Sequence, residues 1–192
     1  MTKNLNIEIK KLSPHLLTDY LTFFDHHAFL DNPEWAFCYC HFNQFPHDEL
    51  VWKDQTAENN RKAVCTKIQN GRMNGYLAYY QNNVVGWCNA GPRSGMTTVP
   101  EYPEPEEKNI GSIVCFVIDT KYRRMGIARQ LLKTACAGLF SEGFTILEGY
   151  PLKDVAGEKE NHFGPIALYL SAGFTPYNED EDTIVMRKYP EQ

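Results

Sequence analysis

The sequence predicts an α/β domain, a mixed and mostly antiparallel sheet flanked by helices with one central βαβ unit. Three observations carry this. Strand-like runs and helical periodicities are interposed along the chain. Two apolar runs, Gly75 to Tyr80 and Val84 to Ala90, are joined by Gln81, Asn82 and Asn83, which suits an antiparallel hairpin. The segment from Ile113 to Leu132, IVCFVIDTKYRRMGIARQLL, passes from an apolar strand through a basic, glycine-bearing turn straight into an amphipathic helix. At 192 residues, 43% apolar and 22% charged, the chain is long enough for one substantial core, so residues 1–192 are expected to form one domain.

Ser13 and Pro14 read as a helix start, with Leu16, Leu17, Tyr20, Leu21 and Phe24 as its buried stripe and an end near His26. Residues 28–55 form an aromatic, irregular insert with Phe29, Trp35, Phe37, Tyr39, Phe42, Phe45 and Trp52, interrupted by Pro33 and Pro46. Thr56 with Asn59 and Asn60 opens a second helix through Ala63, Val64 and Ile68 to a Gly71 stop. After the hairpin, Pro92 to Asn109 carries four prolines and reads as an extended loop.

Ile113, Val114, Phe116, Val117 and Ile118 are apolar on both faces, the pattern of a buried strand. Asp119 and Thr120 end it, and Ile127, Leu131, Leu132, Ala135 and Leu139 then recur at helical spacing. Gly143 stops that helix, Thr145 to Tyr150 forms a strand ended by Pro151, and 153–161 is a polar loop. A last helix is predicted at 165–172 and a closing strand at 183–187.

A formal net charge of −5 without a Lys/Arg-dense face speaks against a nucleic-acid partner. No apolar stretch approaches the ~20 residues of a membrane span, and the N-terminus lacks the apolar core of a signal peptide, so a cytoplasmic chain without a membrane partner is expected. Six cysteines within mostly apolar segments are expected as reduced thiols.

The glycine turn has the build of an anion cradle. A residue without a side chain admits a bound group to the main chain, the first helical amides point outward, and two arginines add positive potential. The run Arg123-x-x-Gly126-x-Ala128 resembles the acyl-CoA-binding R/Q-x-x-G-x-G/A motif of the GCN5-related N-acetyltransferases (GNAT). Pro165-Ile-Ala-Leu-Tyr169-Leu-Ser-Ala-Gly173-Phe174 resembles the L-Y-x-x-x-G-F segment that ends the core of the same family. The resemblance covers about 74–188, the expected cofactor-binding core.

It implies acetyl-CoA as acyl donor, with no metal. The amides and side chains of Arg123, Arg124, Met125, Gly126, Ile127, Ala128 and Arg129 would meet its pyrophosphate, and the strand at Phe116, Val117 and Ile118 would pair with the pantetheine arm. Tyr169 falls on the family's general acid, a phenol able to protonate a leaving thiolate, against the alternative of a packed anchor with one hydroxyl bond. Many relatives place a glutamate on the central strands, but 110–118 contains no acid. Glu148 is the first candidate base. His162 is the second, and it stands seven residues before Tyr169, where the family often carries asparagine.

The acceptor side is expected to involve Trp35, Tyr39, Trp87, Asn89, Arg93 and Tyr150, with residues 28–55 as a substrate-side insert. Cys38-Tyr39-Cys40-His41 lacks the paired spacing of a zinc site. An acyl-cysteine route through Cys38, Cys88 or Cys115 lacks an evident histidine partner. The implied reaction is direct attack by a bound primary amine, small molecule or peptide, on a monomer or homodimer. A CoA-binding sensor without turnover and an acyltransferase with another acyl group or acceptor stay open. The acidic run Glu101 to Glu107 suits a polycationic amine or is a solvated loop.

Overall fold

The structure is a computed structural model, and it describes residues 5–100, 109–154 and 161–190. Its strands are β1 (Glu8–Lys11), β2 (Gly75–Tyr80), β3 (Asn83–Pro92), β4 (Ile110–Ile118), β5 (Ile146–Gly149), β6 (Thr175–Glu179) and β7 (Ile184–Lys188). Its helices are α1 (Leu17–His26), α2 (Ala57–Gln69), α3 (Ile127–Ser141) and α4 (Ile166–Ser171). The strands form one sheet in the order β1-β2-β3-β4-β5-β7-β6. All neighbours run antiparallel except β4 and β5, the parallel pair joined by α3. The predicted mixed sheet with one βαβ crossover is therefore the observed one.

Local chemistry explains most of these elements. Gln81 and Asn82 take φ of 48° and 64°, so the β2–β3 hairpin turns through two left-handed residues, which matches strand twist. Thr56 caps α2 by accepting from the Asn59 amide at 3.1 Å. Ile127, Leu131, Leu132, Ala135 and Leu139 are all buried against the sheet. The helix predicted from Ser13 begins as a 3₁₀ turn at Pro14–Leu16, and its stripe includes Phe23 as well as Tyr20 and Phe24.

The two sheet faces carry separate cores. Tyr20, Phe23, Phe24, Val64, Ile68, Trp87 and Val117 fill the side of α1 and α2. Ile113, Leu131, Leu132, Leu139, Tyr169, Phe174 and Met186 fill the side of α3 and α4.

Strands β1 and β6 have no counterpart in the predicted elements. Both are rims: β1 reads EIKK and is only half-buried, while every residue of β6 is exposed, and its pairing with β7 is broken by a bulge between Pro176 and Asn178. Neither shows the apolar alternation that marks a covered strand. The acidic run 101–107 lies outside the described residues, as does most of the loop predicted at 153–161.

Two irregularities at the sheet centre position the site. Asn89 pairs with Cys115 and Ala90 with Ile113, so Val114 is an extra residue that bends β4. The β4–β5 ladder runs only from Ile110↔Ile146 to Ile113↔Gly149, while β4 continues to Ile118. Beyond Ile113 the two strands part, and β5 leaves the β4 edge from Val114 to Ile118 unpaired.

Candidate active site

The corner after β4 is built from short-range bonds. Asp119 accepts from the Lys121 amide at 3.0 Å and starts a 3₁₀ turn over Thr120–Tyr122. Arg124 and Gly126 then adopt φ of 60° and 79°, and α3 opens at Ile127. The first bond spanning this start is Gln130 N–H to the Gly126 carbonyl at 3.1 Å, so the amides of Ile127, Ala128 and Arg129 precede the helical ladder. A Cβ at Gly126 would meet nothing within 4 Å. The left-handed backbone and the open space above it, not tight packing, are what favour glycine here.

This corner borders an open groove of ≈ 570 Å³. Phe116, Val117, Ile118, Arg123, Arg124, Gly126, Ile127, Ala128 and Arg129 line it together with Trp35 and His162. Met125 is 40% exposed and is not among the lining residues. Arg123 is held in place: Nη1 and Nη2 donate to Asp31 Oδ2 and Oδ1 at 2.6 and 2.9 Å, and Nε donates to the Ile118 carbonyl at 3.2 Å. Asn32 adds a buried Oδ1 with no hydrogen-bond partner among the described residues. Exposed helical amides, three arginines, an unpaired strand edge and an orphaned acceptor in one groove fit a diphosphate carrying an amide-rich arm.

The α4 segment covers the gap where β4 and β5 part. Tyr169 is fully buried, its ring close enough to Gly149 that a Cβ there would collide with it. Its hydroxyl donates to the Phe163 carbonyl at 2.7 Å, and burial pushes its pKa well above the ordinary phenol value. It thus lies behind Phe116, ring centroids 6.5 Å apart, and not on the groove surface. His162 sits in the turn Asn161–Phe163, edge-on to Trp35 at 5.1 Å.

Glu148, the first candidate base, is held inside the sheet. It is fully buried, and Arg187 Nε and Nη2 both lie 2.7 Å from Oε1. Tyr150 donates to Oε2 at 2.8 Å, and Arg93 Nε lies 3.4 Å from the same oxygen. Tyr150 and Ser112 share a further bond of 2.7 Å. Ser112, Glu148 and Arg187 stand opposite one another on β4, β5 and β7, so this is a polar ladder across the sheet.

The remaining acceptor-side residues scatter. Tyr39 donates to Asp25 at 2.6 Å, and burial followed by that bond pushes its hydroxyl up to about 12. Trp87 is fully buried, edge-on to Tyr20 at 5.0 Å, and Asn89 donates to the Cys40 carbonyl at 3.3 Å from inside the core. Arg93 also donates to the Pro100 carbonyl at 2.6 Å. Trp35 is the one member of this set that lines the groove.

A second cavity of ≈ 260 Å³ adjoins the groove and shares Phe29, Trp35 and His162 with it. Trp52 and Phe42 wall its far side, and Cys38, Cys40 and Cys115 also line it. All six cysteines are free. Cys115 is held above the ordinary thiol range by a hydrogen bond to Cys40 and then by burial, and Cys88 by burial. Among the described residues no group of three or more His, Cys, Asp or Glu could hold a metal ion, and no helix is long and apolar enough to cross a membrane.

Sequence reasoning missed Asp31 and Asn32. Each lies about 90 residues from the corner it serves, in a segment without periodicity, so nothing local marks it.

Solved structures share this architecture. An N-acetyltransferase from Staphylococcus aureus Mu50 superposes with a TM-score of 0.55 at 16% identity, over 96% of this chain and 98% of that one. PaiA N-acetyltransferase from Thermoplasma acidophilum in complex with coenzyme A gives 0.56 at 14% identity, covering 97% and 100%. The ribosomal-protein-S18-alanine N-acetyltransferase from Escherichia coli gives 0.53 at 16%, covering 94% and 92%. No curated protein matches in sequence. The fold is that of these N-acetyltransferases. Residues 30–174, more than half of the chain, match the acetyltransferase (GNAT) family, and the chain belongs to that family.

Proposed function

We propose that the protein moves an acetyl group from acetyl-CoA to a primary amine by direct attack within a ternary complex. The observation that supports this best is the continuity of the glycine-corner groove with a second, aromatic cavity across a single histidine, His162. Two ligands can therefore lie side by side with a proton acceptor between them.

Acetyl-CoA would supply the acyl thioester. The amides of Ile127, Ala128 and Arg129 and the guanidinium of Arg123 would hold its diphosphate, and the β4 edge from Val114 to Ile118 would orient its arm. Of the two candidate bases, Glu148 has its oxygens engaged by Arg187, Tyr150 and Arg93, whereas His162 stands on the groove wall. In this reading His162 takes the proton from the amine. Tyr169, kept protonated by burial, is the acid for the leaving thiolate in this reading, and to act it must turn its hydroxyl from the Phe163 carbonyl past Phe116 into the groove. Cys115 and Cys88 stay as thiols, which supports direct attack over an acyl-cysteine.

The test is steady-state release of CoA from acetyl-CoA with a panel of primary amines, for the wild type, Tyr169→Phe and His162→Ala. Turnover that falls about 10²-fold in Tyr169→Phe, with CoA affinity kept, is the expected result. CoA binding without release for any amine overturns the catalytic reading.

A further inference from the structure

The walls of the aromatic cavity beside the groove define what can enter it. Five rings surround it, Phe29, Trp35, Phe37, Phe42 and Trp52. Phe37 and Phe42 approach Trp52 at 5.4 and 5.0 Å, the latter edge-on at 78°, so ring faces and edges are already presented at aromatic packing distances. The thiols of Cys38, Cys40 and Cys115 complete the floor, and sulfur makes favourable contacts with ring edges. The one amide on the wall, Asn43, is already engaged, with Oδ1 accepting from Thr98 at 2.6 Å. Among the described lining residues none is Asp, Glu, Lys or Arg.

We propose that this cavity receives the side group of the acceptor, and that the acceptor is a primary amine carrying one uncharged, ring-sized apolar group. This rests on the N-acetyltransferase reading above. A volume of ≈ 260 Å³ exceeds the roughly 150 Å³ that accommodates benzene in an engineered protein cavity, so a substituted or fused ring fits. The mouth is shared with the groove at His162, so a ring inside the cavity leaves its amine beside the imidazole and facing β4 at Cys115. A second ammonium in the cavity would lose its hydration and meet no carboxylate. The cavity therefore selects against the polycationic acceptors that the acidic run Glu101 to Glu107 would suit.

The experiment compares 2-phenylethylamine, ethylamine and 1,5-diaminopentane as acceptors by CoA release, for the wild type and for Cys38→Phe, which fills the cavity from a partly exposed position. Expected is a kcat/KM for 2-phenylethylamine at least about tenfold above both others, and collapse of that ratio in Cys38→Phe. Should Cys38→Phe not fold, Trp52→Ala enlarges the same cavity and shifts preference towards 2-(1-naphthyl)ethylamine. Equal or better use of the diamine, or a ring preference that survives in Cys38→Phe, overturns the assignment. If no amine is turned over, titration of 2-phenylethylamine into CoA-saturated protein separates the two readings. Heat that disappears in Cys38→Phe keeps the cavity assignment while catalysis falls, and absence of heat in the wild type overturns it.

Discussion

Arg123 and Asp31, 92 residues apart in the chain, meet in a bidentate pair at 2.6 and 2.9 Å on the wall of the groove at the glycine corner. The pair ties the aromatic insert to the glycine corner, and both side chains are about one-third exposed, at 31% each. It also sets a carboxylate next to the site proposed for a diphosphate. Asp31→Asn is expected to tighten CoA binding two- to fivefold, the size of an exposed charge effect of about 0.5–1 kcal/mol, while Arg123→Gln weakens it. Calorimetric titration of CoA reads both, and a weaker Kd in Asp31→Asn refutes the competition.

Gly126 holds φ of 79° below open space. Gly126→Leu introduces about 1–2 kcal/mol of backbone strain and a side chain over the helical amides. The variant is expected to unfold cooperatively a few degrees below the wild type and to give no heat with CoA. Unaltered CoA affinity in this variant would remove the corner from the binding site.

Glu148 and Arg187 are 0% and 2% exposed. Glu148→Gln leaves the Arg187 guanidinium buried without its counter-charge, an effect of about 3–5 kcal/mol that lowers the thermal midpoint by about 10 °C. The pH dependence of kcat/KM is expected to keep its acidic limb in this variant and to lose it in His162→Ala. Loss of the limb in Glu148→Gln would return the base to Glu148.

His41 is buried against Asn60, its Nδ1 3.1 Å from Oδ1, and burial lowers its pKa from the ordinary 6.5. The unfolded chain therefore binds a proton that the folded chain refuses. Stability from this group is complete above about pH 6.5 and is lost as pH falls from there towards the folded value. Thermal midpoints measured between about pH 7 and pH 5 should fall less steeply in His41→Gln than in the wild type; parallel slopes would exclude His41 as a contributor.

What was legible in the sequence is what local pattern determines. The apolar stripe of α3, the doubly buried β4 and the glycine turn at 126 each follow from a few neighbouring residues, and those elements build the groove. What was not legible depends on partners distant in the chain. Glu148 reads as an available carboxylate until β7 brings Arg187 beside it. Trp87 and Asn89 lie on a strand buried on both faces, so alternation cannot say which side meets the cleft. Tyr39 leaves the groove because Asp25 captures its hydroxyl. The paired cavities arise where the insert folds over β4, a contact that no spacing encodes.

The unpaired stretch of β4 has a consequence for association. Both outer rims of the sheet resist strand addition: charged Glu8, Lys10 and Lys11 stud one, and Pro176 with its bulge interrupts the other. Hydrogen-bonding capacity for an incoming extended chain is thus left to the β4 edge from Val114 to Ile118, within the sheet where β4 and β5 part. Self-assembly through edge pairing is discouraged at the rims, while the gap between β4 and β5 keeps its edge receptive.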